Sequence, residues 1–238
     1  MIFLRSLLFN TVFYLSSVVI GVGAVPVLLG SPSFMRRAGA SWSHLVIRML
    51  KTIAGTGWQV RGKDRVPDGP VIFAIKHQSA WDTFFFPAYL DEPAMVAKKE
   101  LRLIPFYGWY AWRAEAVWID RSKGSRAIRT LIRGAEAAIK QGRSIVMFPQ
   151  GTRTAPGEIR PYQAGIAALY RATKVPVVPV AINSGMYWGK RTFLKYPGSI
   201  IVEFLEPMPK GLDRGQFLEE LATRFDSATS RLEAEVVR

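Results

Sequence analysis

Seven short apolar runs, separated by longer segments with helical periodicity, limit the folds that this sequence can adopt. The runs are rich in valine and isoleucine, as strands buried on both faces usually are. Helical patterns lie between them, most clearly at residues 125–140 and 165–173. This alternation predicts an α/β fold in which helices cover a mostly parallel sheet. The predicted strands are residues 58–61, 71–76, 94–98, 116–119, 144–148, 177–182 and 200–205.

Two further helices are predicted near the ends of the chain. Residues 33–54 combine apolar positions three or four residues apart with a basic face, and we expect Ser33 to cap this helix and Gly55 to end it. Residues 213–236 begin with Asp213 and Gln216, which have the spacing of a capping pair, and we expect a surface helix there. The apolar positions of the first helix are Phe34, Trp42, Leu45, Met49 and Ile53.

An uncharged stretch from Ser6 to Met35 precedes the strands. It is long enough for the ~20 residues of a membrane-spanning helix, but several Gly and Pro residues interrupt its second half. Both a span and a half-inserted helical hairpin therefore stay open, whereas a cleaved signal peptide fits poorly because Arg36 and Arg37 follow. We expect a membrane-anchoring segment over residues 1–55, with apolar and amphipathic helices, and an α/β domain over residues 56–238.

The charge of the chain points to an anionic partner. Its formal net charge is +14, and residues 36–66 hold seven Lys or Arg against Asp64 alone. Basic residues directly after an apolar segment favour a phospholipid surface over nucleic acid, although an ordinary solvated helix face would carry the same charges. The absence of cysteine excludes a thiol nucleophile and a disulfide framework, and two histidines make a zinc site improbable.

Polar side chains follow several of the predicted strands. His77 comes directly after the strand at 71–76, and Asp82 follows five residues later. Such a carboxylate can fix the tautomer of a histidine and leave its other ring nitrogen free to accept a proton. Other strands end at Lys98, at Asp120 and Arg121, and at residues 149–153. Because ligands bind at the carboxyl ends of parallel strands, we expect these groups to converge at one edge of the sheet.

Each of these features also has an ordinary structural explanation. Arg121 and Asp120 would suit a surface ion pair, and the Pro149–Gly151 segment would suit a simple turn. Lys98 and Lys99 would suit a solvated pair. Their shared position at strand ends favours a functional site over several independent coincidences.

Four segments together resemble an enzyme family. HQSAWD, AVWIDR, FPQGTR and VPVVPVAI are similar to the four ordered sequence blocks of the glycerophospholipid acyltransferases, in particular the bacterial 1-acylglycerol-3-phosphate acyltransferases, and residues 98–110 resemble the stretch between their first two blocks. The resemblance covers residues 71–182. It implies transfer of an acyl chain from acyl-CoA or acyl carrier protein to lysophosphatidic acid, which gives phosphatidic acid. It also implies an inner-membrane enzyme with its catalytic domain on the cytoplasmic face and no metal or cofactor.

The resemblance also implies roles for single residues. His77 would be the general base and Asp82 its orienting partner. The acceptor phosphate would be held by Lys98, Arg121 and Arg153, and the acceptor pocket would include Gln150, Gly151 and Thr152. Pro179 would line the acyl-donor side.

One departure from the family pattern concerns the acceptor. The third block usually has Glu where this chain has Gln150, which keeps hydrogen bonding but removes a charge. An acyltransferase for another lysolipid, such as lyso-ornithine lipid, therefore stays open, as does a non-catalytic basic protein that binds membranes or nucleic acid. The sequence also has a cluster of aromatic residues at positions 106–112. We expect them to be core or membrane-interface residues and not residues that stack on nucleic-acid bases. They are Phe106, Tyr107, Trp109, Tyr110 and Trp112.

Overall fold

A seven-stranded sheet forms the centre of the protein in a computed structural model, which describes residues 1–236. All seven predicted strands are present, and their ends lie within two residues of the predicted positions. Buried β-branched runs therefore located the strands reliably. The strands are β1 (Thr56–Arg61), β2 (Ile72–Ile75), β3 (Ala94–Lys98), β4 (Val117–Ile119), β5 (Ile145–Met147), β6 (Val177–Ile182) and β7 (Gly198–Phe204).

Seven α-helices accompany the sheet within residues 1–236. The capping pair Asp213 and Gln216 is confirmed at the last of them, and Gly55, with φ of 77°, ends a π-helical turn that extends the second. The prediction that Ser33 caps the second helix is wrong. Ser31 caps that helix by accepting a hydrogen bond from the Phe34 N–H, because Pro32 occupies the first helical position. The helices are α1 (Ile2–Gly23), α2 (Pro32–Met49), α3 (Trp81–Tyr89), α4 (Tyr107–Arg113), α5 (Ser125–Lys140), α6 (Ala164–Thr173) and α7 (Arg214–Ala234).

The strand order is β1-β7-β6-β2-β5-β3-β4, and neighbours are parallel except for the antiparallel pair β6 and β7. This confirms the predicted mostly parallel sheet. The carboxyl ends of β2 to β6 therefore lie at one edge, which we call the site edge. Parallel α/β sheets bind ligands at such an edge.

Helices cover both faces of the sheet. Phe73 and Ile75 of β2 pack towards α2 and α3, whereas Ile72 and Ala74 pack towards α5, α6 and α7. Alternate strand residues point to opposite faces, so a strand that is apolar at every position is buried on both sides. Each fully buried aliphatic or aromatic side chain contributes about 1.5–3 kcal/mol of transfer free energy. This double burial explains why the strand runs show no polar alternation.

Helix α1 lies against the domain along most of its length. The Ser6 hydroxyl accepts a hydrogen bond from the Lys195 N–H at 2.9 Å, and the Phe9 ring meets the Trp188 ring edge-on at 5.2 Å. Near its other end, the Gly21 carbonyl accepts a hydrogen bond from the Tyr110 hydroxyl. Among residues 1–236, α1 is the helix with the length and apolar composition to cross a membrane. Its outer side exposes large apolar residues, including Leu4, Leu7, Leu8, Leu15, Val18, Val19 and Val22.

Helix α2 joins the sheet core more closely than its amphipathic pattern suggests. Val46 and Ile47 are buried against the sheet, while the predicted apolar positions Phe34 and Leu45 are partly exposed. The basic face of α2 also makes contacts within the protein, because Arg36 forms an ion pair with Glu92 at 2.7 Å. The boundary between the membrane-anchoring segment and the α/β domain, predicted at residue 55, stays a prediction.

Candidate active site

His77 and Asp82 are brought together where β2 leads into α3. Asp82 lies in the first turn of α3, so the short loop after β2 returns its carboxylate to the histidine. The distance from His77 Nδ1 to Asp82 Oδ2 is 2.8 Å. The same oxygen accepts hydrogen bonds from the backbone N–H groups of Gln78 and Ser79, at 2.8 and 2.9 Å. With Nδ1 donating to Asp82, His77 Nε2 is left as a proton acceptor.

The second oxygen of Asp82 is held by Ser184. Its hydroxyl donates to Asp82 Oδ1 at 2.5 Å, and both side chains are fully buried. A buried carboxylate needs such donors because it has lost its hydration. Sequence reasoning missed Ser184, although the polar Asn183–Gly185 segment directly follows β6 at the site edge.

The position of His77 is fixed by three further contacts. Its ring stacks on Phe148, with centroids 4.0 Å apart and an interplanar angle of 24°. Its backbone N–H donates to Gln150 Oε1 at 3.1 Å, and its carbonyl accepts from the Thr154 N–H at 2.8 Å. The histidine is therefore held on several sides by the loop that follows β5.

Gln150 presents a buried donor that the described part of the chain leaves unused. Its side chain is 4% exposed, and Oε1 is occupied by the His77 N–H. Within residues 1–236, its Nε2 group has no hydrogen-bond partner. An unsatisfied buried donor costs roughly 1–3 kcal/mol, so a bound ligand that supplied an acceptor would gain binding free energy here.

Arg121 reaches across β3 to the loop after β5. Its Nη1 donates to the Gly151 carbonyl at 3.0 Å. Gly151 has φ of 68°, and a Cβ atom at this position would come within 2.0 Å of the same guanidinium nitrogen. Burial lowers the pKa of Arg121, yet a guanidinium stays charged at neutral pH. The backbone conformation at position 151 thus favours glycine, and a side chain there would displace the end of the Arg121 side chain.

Asp120 does not form the surface ion pair with Arg121 that its position in the sequence allows. Its carboxylate accepts hydrogen bonds from the Ser122 hydroxyl at 2.6 Å and from Lys99 Nζ at 3.2 Å, and these donors lower the pKa of Asp120. Arg121 therefore keeps its charge available on the side of the site.

The remaining predicted residues occupy different depths. Lys98 is the last residue of β3 and Arg153 follows the β5 loop; both are partly exposed, and neither has an ion-pair partner within residues 1–236. Thr152 is partly exposed beside Arg153. Pro179, in contrast, is buried inside β6 opposite Ala74, about 10 Å along the strand from its end. The structure therefore brings the cations to the site edge but leaves Pro179 in the interior of the sheet.

A pocket of about 370 Å³ opens beside Gln150. A hollow of about 380 Å³ lies next to Pro209 and α7, away from the residues described above, and His77, Asp82 and Arg121 line neither space. Within residues 1–236, no cluster of three or more His, Asp or Glu side chains is placed to hold a metal ion. The pocket is lined by Gln150, Glu158, Ile159, Arg160, Pro161 and Gln163.

Comparison with known proteins identifies a family and several relatives. The family described as Acyltransferase matches residues 57–183, which include the site residues from His77 to Pro179. A 1-acyl-sn-glycerol-3-phosphate acyltransferase of Pseudomonas aeruginosa is 33% identical over 196 residues, which cover 82% of this chain and 76% of that protein. The enzyme of the same name from Saccharomyces cerevisiae is 31% identical over 175 residues, or 71% of this chain and 58% of the yeast protein.

A solved structure shares the fold. The crystal structure of the 1-acyl-sn-glycerophosphate acyltransferase PlsC from Thermotoga maritima superposes with a TM-score of 0.79, covering 100% of both chains. The identity is 23%, so this likeness bears on the fold alone.

Proposed function

The chain belongs to the acyltransferase family, and from this premise we propose that it acylates the sn-2 hydroxyl of 1-acylglycerol-3-phosphate. The acyl donor would be a thioester, either acyl-CoA or acyl carrier protein, and the product would be phosphatidic acid. The observation that carries the proposal is the His77–Asp82 contact at the edge where Arg121 also lies. The names of the bacterial and yeast relatives support the choice of acceptor.

His77 would act as general base. Its Nε2 accepts the proton of the acceptor hydroxyl while the oxygen attacks the thioester carbonyl carbon. The tetrahedral intermediate then collapses, the C–S bond breaks, and the leaving thiolate takes the proton from the imidazolium. Asp82 stabilises that imidazolium through Nδ1. The products are an ester and a free thiol, and this direct transfer needs no acyl-enzyme.

The cations at the site edge would hold the acceptor phosphate. Arg121 is anchored to the Gly151 carbonyl, and the preceding Gln150 contacts the backbone of His77. Two adjacent residues thus connect the phosphate side of the site to the base. Guanidinium groups bind phosphate by paired, charge-assisted hydrogen bonds. We assign the same role to Arg153 and Lys98, whose charges have no partner among residues 1–236.

Helix α1 would supply the membrane contact. Because its contacts with the domain extend from Ser6 to Gly21, we expect α1 to lie along one leaflet with its apolar outer side in the lipid. A helix held along its length cannot also cross the bilayer away from the domain. We place the domain on the cytoplasmic side of the inner membrane, where acyl-CoA and acyl carrier protein occur.

An acyl-transfer assay tests the proposal. Detergent-purified protein is incubated with lysophosphatidic acid and other lysolipids, each with acyl-CoA and with acyl carrier protein. We expect phosphatidic acid as the main product, and a loss of at least about 100-fold in His77→Ala. The exposed His44, changed to Ala, is the matched control and should keep full activity. Normal turnover by His77→Ala would exclude the assigned base, and no turnover with any acceptor would favour a non-catalytic membrane protein.

Gln150, which stands where the family pattern has Glu, keeps a second candidate open, the acylation of a lysolipid such as lyso-ornithine lipid. Its N–H donor would suit an acceptor oxygen, whereas a Glu at this position would present a second acceptor. Gln150→Glu should shift the ratio of kcat/KM values between lysophosphatidic acid and the alternative lysolipids. An unchanged ratio would show that Gln150 does not select the acceptor.

A further inference from the structure

The connection between β3 and β4 exposes an unusual amount of apolar surface. Five large residues within ten positions point outward, with Leu103 at 85% and Trp112 at 58% exposure. We call these residues the β3–β4 patch. Exposed clusters of this kind mark protein or membrane interaction sites. The patch consists of Leu103, Ile104, Tyr107, Trp109 and Trp112.

The backbone that carries the patch is tightly folded. A Cβ atom at Gly108 would lie 2.1 Å from the Arg102 carbonyl oxygen, so the turn before α4 packs directly on α4. Phe106 adopts φ of 62° and ψ of −60°, a sparsely populated conformation that costs roughly 1–3 kcal/mol. Its ring meets the Trp109 ring edge-on at 5.5 Å. The apolar side chains are thus held outward by an ordered scaffold.

The patch is continuous with the end of α1. The Tyr110 hydroxyl and the Phe106 ring both contact Gly21, where a Cβ atom would lie 3.3 Å from that ring. Arg113 Nε donates to the Leu28 carbonyl at 3.0 Å, just beyond α1. The exposed apolar residues at this end of α1 are Val18, Val19 and Val22, and those of the short 3-10 turn after it are Val25 and Leu29. The two exposed apolar surfaces therefore adjoin.

The charges around the patch fit the surface of an anionic bilayer. Lys99, Glu100 and Arg102 are exposed beside it. Lys99 contacts Asp120 at 3.2 Å, and the Arg102 guanidinium lies 5.6 Å from the centroid of the Trp118 ring. Trp and Tyr next to Lys and Arg are typical of the membrane–water interface. A protein partner would not need continuity with a lipid-facing helix.

We propose that the β3–β4 patch inserts into the interfacial region of an anionic bilayer, as a second membrane contact beside α1. The segment begins directly after Lys98, at the site edge, and ends beside α1. Two contacts fix the orientation of a domain on a surface, whereas one allows it to swing. The insertion would hold the site edge close to the lipid, and it does not depend on which acceptor is acylated.

Site-specific fluorescence tests this proposal in the full-length protein. The chain has no cysteine, so Leu103→Cys and the control Ser227→Cys each give one labelling position for an environment-sensitive dye. Ser227 is exposed on α7, which covers the other face of the sheet from α1 to α3. On phosphatidylglycerol/phosphatidylcholine vesicles, we expect a blue shift at 103 and quenching by lipids brominated near the carbonyl, with neither at 227.

Two results would overturn the inference. If only α1 inserts, the protein will bind vesicles while the dye at position 103 behaves like the dye at position 227. If a second copy of the chain covers the patch, the blue shift will appear before vesicles are added and brominated lipids will not quench it. In addition, Trp109→Ala/Trp112→Ala should weaken vesicle binding by at least about tenfold. Because no turnover is measured, failure here would leave the proposed acyl transfer untouched.

Discussion

Ser184 holds the oxygen of Asp82 that His77 leaves free. The Ser184 hydroxyl donates to Asp82 Oδ1 at 2.5 Å, while Asp82 Oδ2 lies 2.8 Å from His77 Nδ1. The carboxylate is therefore fixed from both sides, and its orientation towards the histidine depends on a residue that follows β6. We therefore expect Ser184 to act as a positioning residue for the proposed catalytic pair.

Removal of the Ser184 hydroxyl should slow the chemical step. We expect Ser184→Ala to lower kcat by about tenfold, since a lost hydrogen bond to a charged group costs about 1.5 kcal/mol or more. KM for both substrates should stay unchanged because Ser184 is buried behind Asp82. Steady-state kinetics measure the split, and Ser184→Thr, which keeps the hydroxyl, should restore most of the rate. A folded Ser184→Ala enzyme with normal kcat would contradict this role.

Substitution of Gly151 should affect acceptor binding beyond its effect on stability. In Gly151→Ala the new Cβ atom displaces the Arg121 guanidinium, so KM for lysophosphatidic acid should rise about tenfold or more. Gly157→Ala is the matched control, because Gly157 has a similar φ of 72° but open space around it. Both variants should lose about 1 kcal/mol of folding free energy. Equal KM values in the two variants would argue against a phosphate role for Arg121.

Arg121 itself should contribute to acceptor affinity and not to donor affinity. We expect Arg121→Ala to raise KM for lysophosphatidic acid by about 10- to 100-fold, because a charge-assisted phosphate contact contributes about 1.5–3 kcal/mol. KM for the acyl thioester should change little. Arg129→Ala, on the exposed side of α5, controls for the loss of one positive charge. The same rise in that control would indicate a general electrostatic effect.

The buried Lys195 should make the free energy of unfolding vary with pH in the alkaline range. Burial lowers the pKa of Lys195 to about 8 from the ordinary value of 10.5. Below pH 8 both the folded and the unfolded chain hold the proton. Between pH 8 and 10.5 the unfolded chain binds more protons, so the stability of the folded chain rises with pH, by at most about 1.4 kcal/mol per pH unit.

Thermal unfolding in detergent from pH 7 to 10 checks the Lys195 prediction. The Tm of the wild type should increase relative to that of Lys195→Met above pH 8, because the variant lacks the titrating group. Lys210→Met, at an exposed position, should keep a constant difference from the wild type. A constant difference for Lys195→Met as well would show that this amine does not titrate in the folded chain near pH 8.

Local patterns in the sequence were sufficient to locate the strands and the contact between His77 and Asp82. The strands are buried on both faces, so each appears as an uninterrupted apolar run. His77 and Asp82 are five residues apart, and a single strand-to-helix turn brings them together. The cap of α2 was predicted wrongly at Ser33, although Pro32 at the first helical position favours Ser31.

Long-range relationships could not be predicted in the same way. Ser184 lies 102 residues from Asp82, and a serine after a strand has no distinguishing signal. The antiparallel pairing of β7 with β6 could not be predicted either, since a strand buried on both faces has the same sequence pattern in either direction. The Gln78 side chain, which bridges the Gly185 N–H and Glu233 of α7, depends on three distant segments meeting.

The loop before β7 has a practical consequence for work on this enzyme. It begins at Ser184, which holds Asp82, and it reaches Lys195, whose backbone bonds to Ser6 of α1. Tailoring the protein for solubility by deleting α1 would remove the support for this loop as well as the lipid contact. We therefore expect such a truncated enzyme to lose turnover even towards short-chain substrates dissolved in water, where access to a membrane is irrelevant.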